Sequence, residues 1–544
     1  MTARTFEPPG RGGWISLRDH FPRAVTPEYG LLLADGMRTG EAIPMAAYGL
    51  PVKSLVVGLV HGHVYITPEP LIGPPTDSLP PRPLLWLLSR LVPAFRARGR
   101  AAEAALRDRP WLAEAEAWHA TERQGWIDAN RSLQDLAVER FDATTLAEHL
   151  VDVREHARTG YRRHFALHGP DLIPTGLLLA ACQAWGITDD DALGALVGAS
   201  PASLGRGPEL RSLQEAVAAA DRVPDSMESL RGVAGAELDA FLADHGLRLV
   251  TGYDLDSLPL GELPDLVVQL ARRPAHPEAE AMAERAGEAA LERLRAQVPT
   301  TERDRLERLV ADARATFGVR DDNGALTAAW PMGLLRRAML TAGRVLVERG
   351  GLTIPEHALE VTVDELVALL RGAVAPSADA VSARARDRAE RSRLVAPPIL
   401  GPEATIPIDA LPSAMATISR AQLALRDTLT AGGPGSTLEG DGLSGGSYLG
   451  RALVATDPAD ALARMEPGDV LVAAGTTPAF NLALSIAGAL VVEEGGLLSH
   501  AAVIARELRL PAVIGAAGCM DQIPDGALVE VDAERGLVRV RHEG

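Results

Sequence analysis

Lysine is almost missing: Lys53 is the single one in 544 residues. No Gly-x-x-x-x-Gly-Lys-Ser/Thr loop can therefore exist, and a P-loop nucleotide site is excluded. Cysteine is nearly as scarce. Cys182 and Cys519 lie too far apart in sequence to suggest a metal-binding knuckle and are too few for a disulfide framework, so a reducing, cytoplasmic compartment is expected. An excess of positive charge is absent too. A formal net charge of −18 and a pI near 5.3 argue against a nucleic-acid partner, because phosphate backbones call for a basic footprint. No long apolar run is unbroken: Thr476 to Val492 comes nearest to membrane length, and Pro478, Asn481 and Gly488 interrupt it. Residues 1–13 are polar and rich in proline and glycine, without the charged start and apolar core of a signal peptide. Neither secretion nor a membrane partner is expected.

What remains is a chain that is 47% hydrophobic and long enough for two or three domains. Residues 52 to 67 read as two short strands around a turn at Gly62. From about Pro83 to Leu429 the apolar spacing is helical, as in Leu85 to Arg98, Leu146 to His164 and the Glu/Arg/Ala-rich stretch from Glu278 to Phe317, whose charge runs read as solvated faces. Thr430 to Ser436, small and uncharged, reads as a flexible linker. Beyond it strands at 470–474, 489–492, 512–514, 527–531 and 537–540 alternate with helices. The expected organisation is α+β and multidomain: an N-terminal segment with short strands (1–80) packed on a helical domain (81–429), a hinge (430–437), and a C-terminal β/β/α domain (438–544).

The most informative stretch runs from Gly495-Gly496-Leu497-Leu498-Ser499-His500 to Leu508 and closes at Pro511. It places one histidine behind a glycine pair, at the start of a short amphipathic helix. Glycines let the backbone approach a bulky anion, and the first helical turn offers free N–H groups to phosphate oxygens. The positive helix end disfavours imidazolium, so His500 is expected to be neutral and nucleophilic near pH 7. Ser499 suits the N-cap.

The run from Gly495 to Val513 resembles the swivelling phosphohistidine domain of phosphoenolpyruvate (PEP) synthases, pyruvate phosphate dikinases and rifampicin phosphotransferases. Gly442-Leu443-Ser444, Gly450-Arg451-Ala452, Gly468 to Val472 and Thr477-Pro478 extend the likeness. The resemblance implies that His500 carries the phosphoryl group, with Gly495, Gly496 and Ser499 supporting it. Arg509 stands where such proteins often have the glycine that ends the helix. A weaker likeness to the helical substrate-binding region of rifampicin-phosphotransferase-type proteins rests on Trp14, Asp19-His20-Phe21-Pro22 and Thr26-Pro27, then Phe241 to Arg248, Tyr253-Asp254-Leu255 and Arg320-Asp321-Asp322. There the family pattern reads Arg-Glu-x-x-Lys, and Gly324 replaces the lysine. Nothing resembles the ATP-grasp domain that phosphorylates such histidines, nor the (β/α)8 barrel that binds phosphoenolpyruvate.

Arg248 and Arg320 suit a phosphate clamp or, equally, salt bridges with Asp254 or Asp322, and Asp322 is retained as a substrate-domain candidate. His164 and His168, at i and i+4, suggest a metal pair, but no carboxylate or cysteine completes a ligand set in sequence, and a structural role is favoured. His61-Gly62-His63 reads as a strand end, the tryptophans at 111, 118 and 126 as core, and Cys519 as an inert thiol. No metal is expected. The implied activity is phosphotransfer through His500 to a small-molecule acceptor, with Mg-ATP held by a separate ATP-grasp partner. The alternative is a non-catalytic binding or regulatory protein that keeps the fold.

Overall fold

Helical apolar spacing turns most of the first 430 residues into one packed body. The computed structural model describes all residues except 1–3, 19, 79, 201–206, 221, 273–278, 403–405, 431–437, 478–479, 497–498 and 542–544, and leaves out the side chains of 190, 279–283, 321, 425–430 and 459. The proposed hinge glycines at 432, 433 and 435 thus lie outside the described residues.

The core of the body is built on the helices Pro27–Gly40, Ala143–Ala166 and Trp330–Glu348, which bury Tyr29, Leu32, Leu146, Leu150, Trp330 and Met339 against one another. Ala143–Ala166 runs almost directly into His168–Ala184. This pair contains a window apolar enough to cross a membrane, and 78% of that window is buried inside the body. Two long helices expected from periodicity are broken. Leu85 to Arg98 divides into Arg82–Leu91 and Pro93–Asp108, because Pro93 cannot donate to the preceding turn and starts a new helix. The stretch from Glu278 divides at Pro299 into Ala279–Gln297 and Arg303–Asn323 for the same reason.

A four-stranded antiparallel sheet flanks these helices in the order β2-β3-β1-β4: β1 Trp14–Ser16, β2 Val52–Val60, β3 His63–Pro70 and β4 Ile399–Leu400. His61 and Gly62, at φ 52° and 83°, make the tight turn between β2 and β3. Because Ile15 pairs with Ile399, the N-terminal segment and the far end of the helical region form a single unit.

The C-terminal domain holds a seven-stranded sheet: β5 Asp441–Leu443, β6 Ser447–Ala455, β7 Val470–Ala473, β8 Ala489–Val492, β9 Ala512–Ile514, β10 Leu528–Asp532 and β11 Leu537–Arg541, ordered β11-β10-β6-β7-β8-β9-β5. β6 to β9 are parallel and the outer strands antiparallel. All residues of β7 and β8 are buried, as expected when both faces of a parallel sheet are covered. One face packs Leu453, Leu471 and Leu490 against Ala501, Ile504 and Ala505 of the helix His500–Leu508. The other packs Val472, Val491 and Val529 around Cys519. The sheet also closes on itself: Glu439 bridges Leu537, the Gly440 N–H donates to the Gly536 carbonyl, and the Val538 N–H to that of Leu438.

Candidate functional site

Loops at the carboxyl ends of parallel strands are where open α/β sheets place ligands. Here the loops after β6, β7 and β8 all face the helical body. The loop after β8 carries the glycine pair. Gly495 sits at φ 121°, and a Cβ there would lie 3.0 Å from Ser499 Cβ and Oγ, so the turn requires glycine. The Ser499 N–H donates to the Gly496 carbonyl (2.8 Å), and Ser499 Oγ accepts from the Ala502 N–H (3.3 Å), capping the helix that His500 begins. At the other end Arg509 adopts the left-handed conformation (φ 51°, ψ 37°) without being glycine, so the turn survives the departure noted in the sequence.

The half-buried His500 ring touches two uncharged groups from the loop after β7. Nδ1 lies 2.9 Å from Thr476 Oγ1, and Nε2 lies 2.5 Å from Asn481 Oδ1. Burial, then repulsion from Arg320 and His20, pushes His500 down to about 3. The ring is neutral at pH 7, and the main cause is desolvation, with Arg320 and His20 in support.

The body surface opposite is built by three segments. His20 stacks on Tyr253, with centroids 5.8 Å apart and planes at 21°. Arg18 forms an ion pair with Glu494, which immediately precedes Gly495. Arg320, in the last turn of Arg303–Asn323, has no ion pair or hydrogen bond among the described residues, and its charge acts on Tyr253, His168, Asp171 and His500. Deeper lies a buried polar cluster. The rings of His164 and His168 are 5.1 Å apart, and His168 Nδ1 meets Glu41 Oε1 at 2.6 Å. Burial would lower His168, but the Glu41 and Asp171 carboxylates overcome it and raise the ring to about 9. Burial, with repulsion from His168, takes His164 down to about 3, and burial raises Asp171 to about 6. Among the described residues no group of three His, Cys, Asp or Glu side chains is arranged to hold a metal.

The sequence candidates thus separate. Gly495, Gly496, Ser499, His500 and Arg320 converge. Arg248 and Asp322 do not join them. Arg248 lies over the Trp330 ring (4.9 Å), where burial lowers it to about 10, and Asp322 pairs with Arg123 at 2.8 Å. Neither suggested salt bridge forms, since Asp254 accepts from the Thr26 N–H (2.7 Å) and hydroxyl. His61 and His63 bond backbone carbonyls of Thr5 and Arg391. Burial raises both thiols, Cys182 and Cys519, to about 12. Trp111 and Trp118 are core, while Trp126 is only partly buried.

Between the two parts lies a cavity of about 430 Å3. The body contributes Arg18, His20, Phe21 and Tyr253; the C-terminal domain contributes Gly475, Thr477, Phe480, Glu493 and Glu494. Sequence reasoning missed Thr476 and Asn481, which sit in the interrupted apolar stretch from Thr476 to Val492, and gave His20 and Tyr253 no role.

Residues 465–536 match the PEP-utilising enzyme mobile domain, and residues 203–321 match the rifampicin phosphotransferase fourth domain. The chain carries both of these family segments, and neither is an ATP-grasp domain. It is 31% identical over 334 residues to a rifampicin phosphotransferase from Streptomyces sp, covering 58% of this chain and 36% of that protein. It is 44% identical over 95 residues to phosphoenolpyruvate synthase from Aeropyrum pernix, covering 18% and 12%. A segment of chondramide synthase from Chondromyces crocatus is 28% identical over 567 residues, covering 96% of this chain and 14% of that protein. The chain therefore spans between about an eighth and about a third of the length of these relatives.

Proposed function

We propose that His500 is a phosphoryl carrier: it accepts a phosphoryl group from Mg-ATP bound on a separate ATP-grasp polypeptide and passes it to a hydroxyl of a small molecule held against the helical body. The observation that carries this reading is the environment of the ring. Arg320 and His20, which repel a proton from His500, would attract a phosphoryl dianion placed there. Thr476 and Asn481 hold the ring with neutral contacts, so it stays nucleophilic, and whichever nitrogen takes the phosphoryl group exchanges its contact for the new bond. Splitting one transfer between distant sites into two in-line displacements is what a covalent carrier achieves.

Incubation with a candidate ATP-grasp protein and labelled ATP is expected to give acid-labile, base-stable label that disappears in His500→Ala; label retained in that variant sinks the assignment. The alternative, a binding or regulatory protein, is favoured by one feature. Gly324 stands where the family pattern has lysine, and space around it is open. Calorimetric titration with Mg-ATP bears on both readings, since each places the nucleotide elsewhere and tight binding by this chain alone would contradict both.

A further inference from the structure

The core helices of the body turn their apolar residues inward, and Arg82–Leu91 turns most of its own outward. Leu85 and Ser89, one turn apart, are its buried residues, and it rests on Pro93–Asp108 and on the short turn Ile408–Ala410. Leu84, Leu87 and Leu91, at i, i+3 and i+7, share the outer side with Trp86, and all four are between 44% and 65% exposed. Single apolar residues on a surface need no explanation, but a helix that is apolar inside and out is expected to be covered. The outer side also offers a partner few hydrogen bonds. Arg90 interrupts it, yet the Arg90 guanidinium lies over the Trp86 ring at 4.3 Å and donates to the carbonyls of Trp86 (3.1 Å) and Ala410 (3.0 Å).

Charge indicates what covers this side. From Arg82 to Ala102 the chain has five arginines and no aspartate or glutamate, against a formal net charge of −18 overall. Arg82 pairs with Asp409, and Arg98 is half-buried. Arg96 and Arg100, one turn apart on the helix that follows, are exposed and have no ion pair or side-chain hydrogen bond among the described residues. Two copies meeting through this surface would set like charges together. Leucines and a tryptophan beside arginines, with no acid among them, are the make-up of a helix that lies in the plane of an anionic lipid surface. We propose that Arg82–Leu91 is a membrane-surface anchor: Leu84, Trp86, Leu87 and Leu91 enter the interface of an anionic bilayer, and Arg96 and Arg100 meet lipid phosphates. The expectation of no membrane partner came from the want of a spanning segment, and a helix that lies in the interface needs none. The anchor is weak and released by salt, since one short helix and two free arginines carry it. It does not depend on the carrier reading, because none of its residues belongs to the His500 site.

The full chain is sedimented with vesicles of phosphatidylcholine alone and with vesicles that also contain phosphatidylserine. Uptake is expected on the mixed vesicles at low salt, with a blue shift of tryptophan emission that Trp86→Phe abolishes. Leu87→Glu combined with Leu91→Glu, and separately Arg96→Gln combined with Arg100→Gln, are each expected to weaken uptake about tenfold or more. All four side chains are exposed, so thermal unfolding is expected to stay unchanged in both double variants, and weakened uptake then reports on the surface alone. Equal uptake on the two kinds of vesicle, or uptake that neither double variant alters, overturns the anchor. A dimer in analytical ultracentrifugation that dissociates in the leucine variant overturns it in favour of a second copy. An acidic protein that co-purifies with the unsubstituted chain and is lost in the leucine variant, while mixed vesicles take up nothing, overturns it in favour of a protein partner.

Discussion

Two half-buried histidine rings, one in each part of the molecule, are driven in opposite directions. His500 in the mobile domain lies near 3, and His168 in the helical body near 9. Burial acts on both in the same sense, so the partners decide. Thr476 and Asn481 offer His500 no charge, whereas Glu41 and Asp171 offer His168 two carboxylates. The lesson is chemical. A ring among uncharged groups with Arg320 nearby is kept neutral, while a ring beside two carboxylates is kept charged.

The contrast has a definite pH signature. The folded pKa of His168 stands above its unfolded value of about 6.5, so its stabilisation is complete below about pH 6.5 and is lost as pH rises toward 9. His500 and His164 are depressed, so the folded protein binds fewer protons, and stability is lost as pH falls from about 6.5 toward 3. Their joint contribution peaks near pH 6.5.

Removing the carboxylate should have the largest effect. Glu41→Gln leaves a buried ring without its partner and is expected to cost about 3 kcal/mol near pH 6.5, in the range seen when one member of a buried pair is deleted. Urea unfolding at pH 6.5 and 9 checks it; an alkaline limb as steep as before would assign that limb to another group. Next, Asn481→Asp would give His500 the kind of partner His168 has, raising its proton affinity about tenfold or more. NMR titration of the ring reads this directly, and an unmoved midpoint would break the comparison. Arg509→Gly relieves a left-handed non-glycine residue and should stabilise the mobile domain by about 1 kcal/mol, seen as a higher thermal midpoint. Arg18→Ala removes a partly exposed pair and should cost under about 1 kcal/mol, falling toward zero in high salt. A larger, salt-independent loss would show that Arg18 does more than pair with Glu494.

The same contrast explains what the sequence could reveal. The glycine pair, the capping serine and the helix after His500 are local, so their geometry was legible from adjacent residues. The strands at 489–492 and 512–514 were equally plain, because buried parallel strands are short apolar runs bounded by turns. Glu41 and His168 meet across 127 residues, and no periodicity announces such a pair. Strand β4 is two residues long and is a strand only because β1 lies beside it. Arg248 and Arg320 looked alike in sequence, and only the path of the helices sends one toward Trp330 and the other toward His500.

The closed sheet of the C-terminal domain bears on life away from the body. A domain that leaves its seat with an open strand edge would expose a row of unpaired N–H and carbonyl groups, a template for pairing with another chain. Leu438 to Gly440 cover the rim at β11 before the chain enters β5. A detached domain would therefore offer water its loops and no ladder to extend, which would protect it from aggregation away from the body.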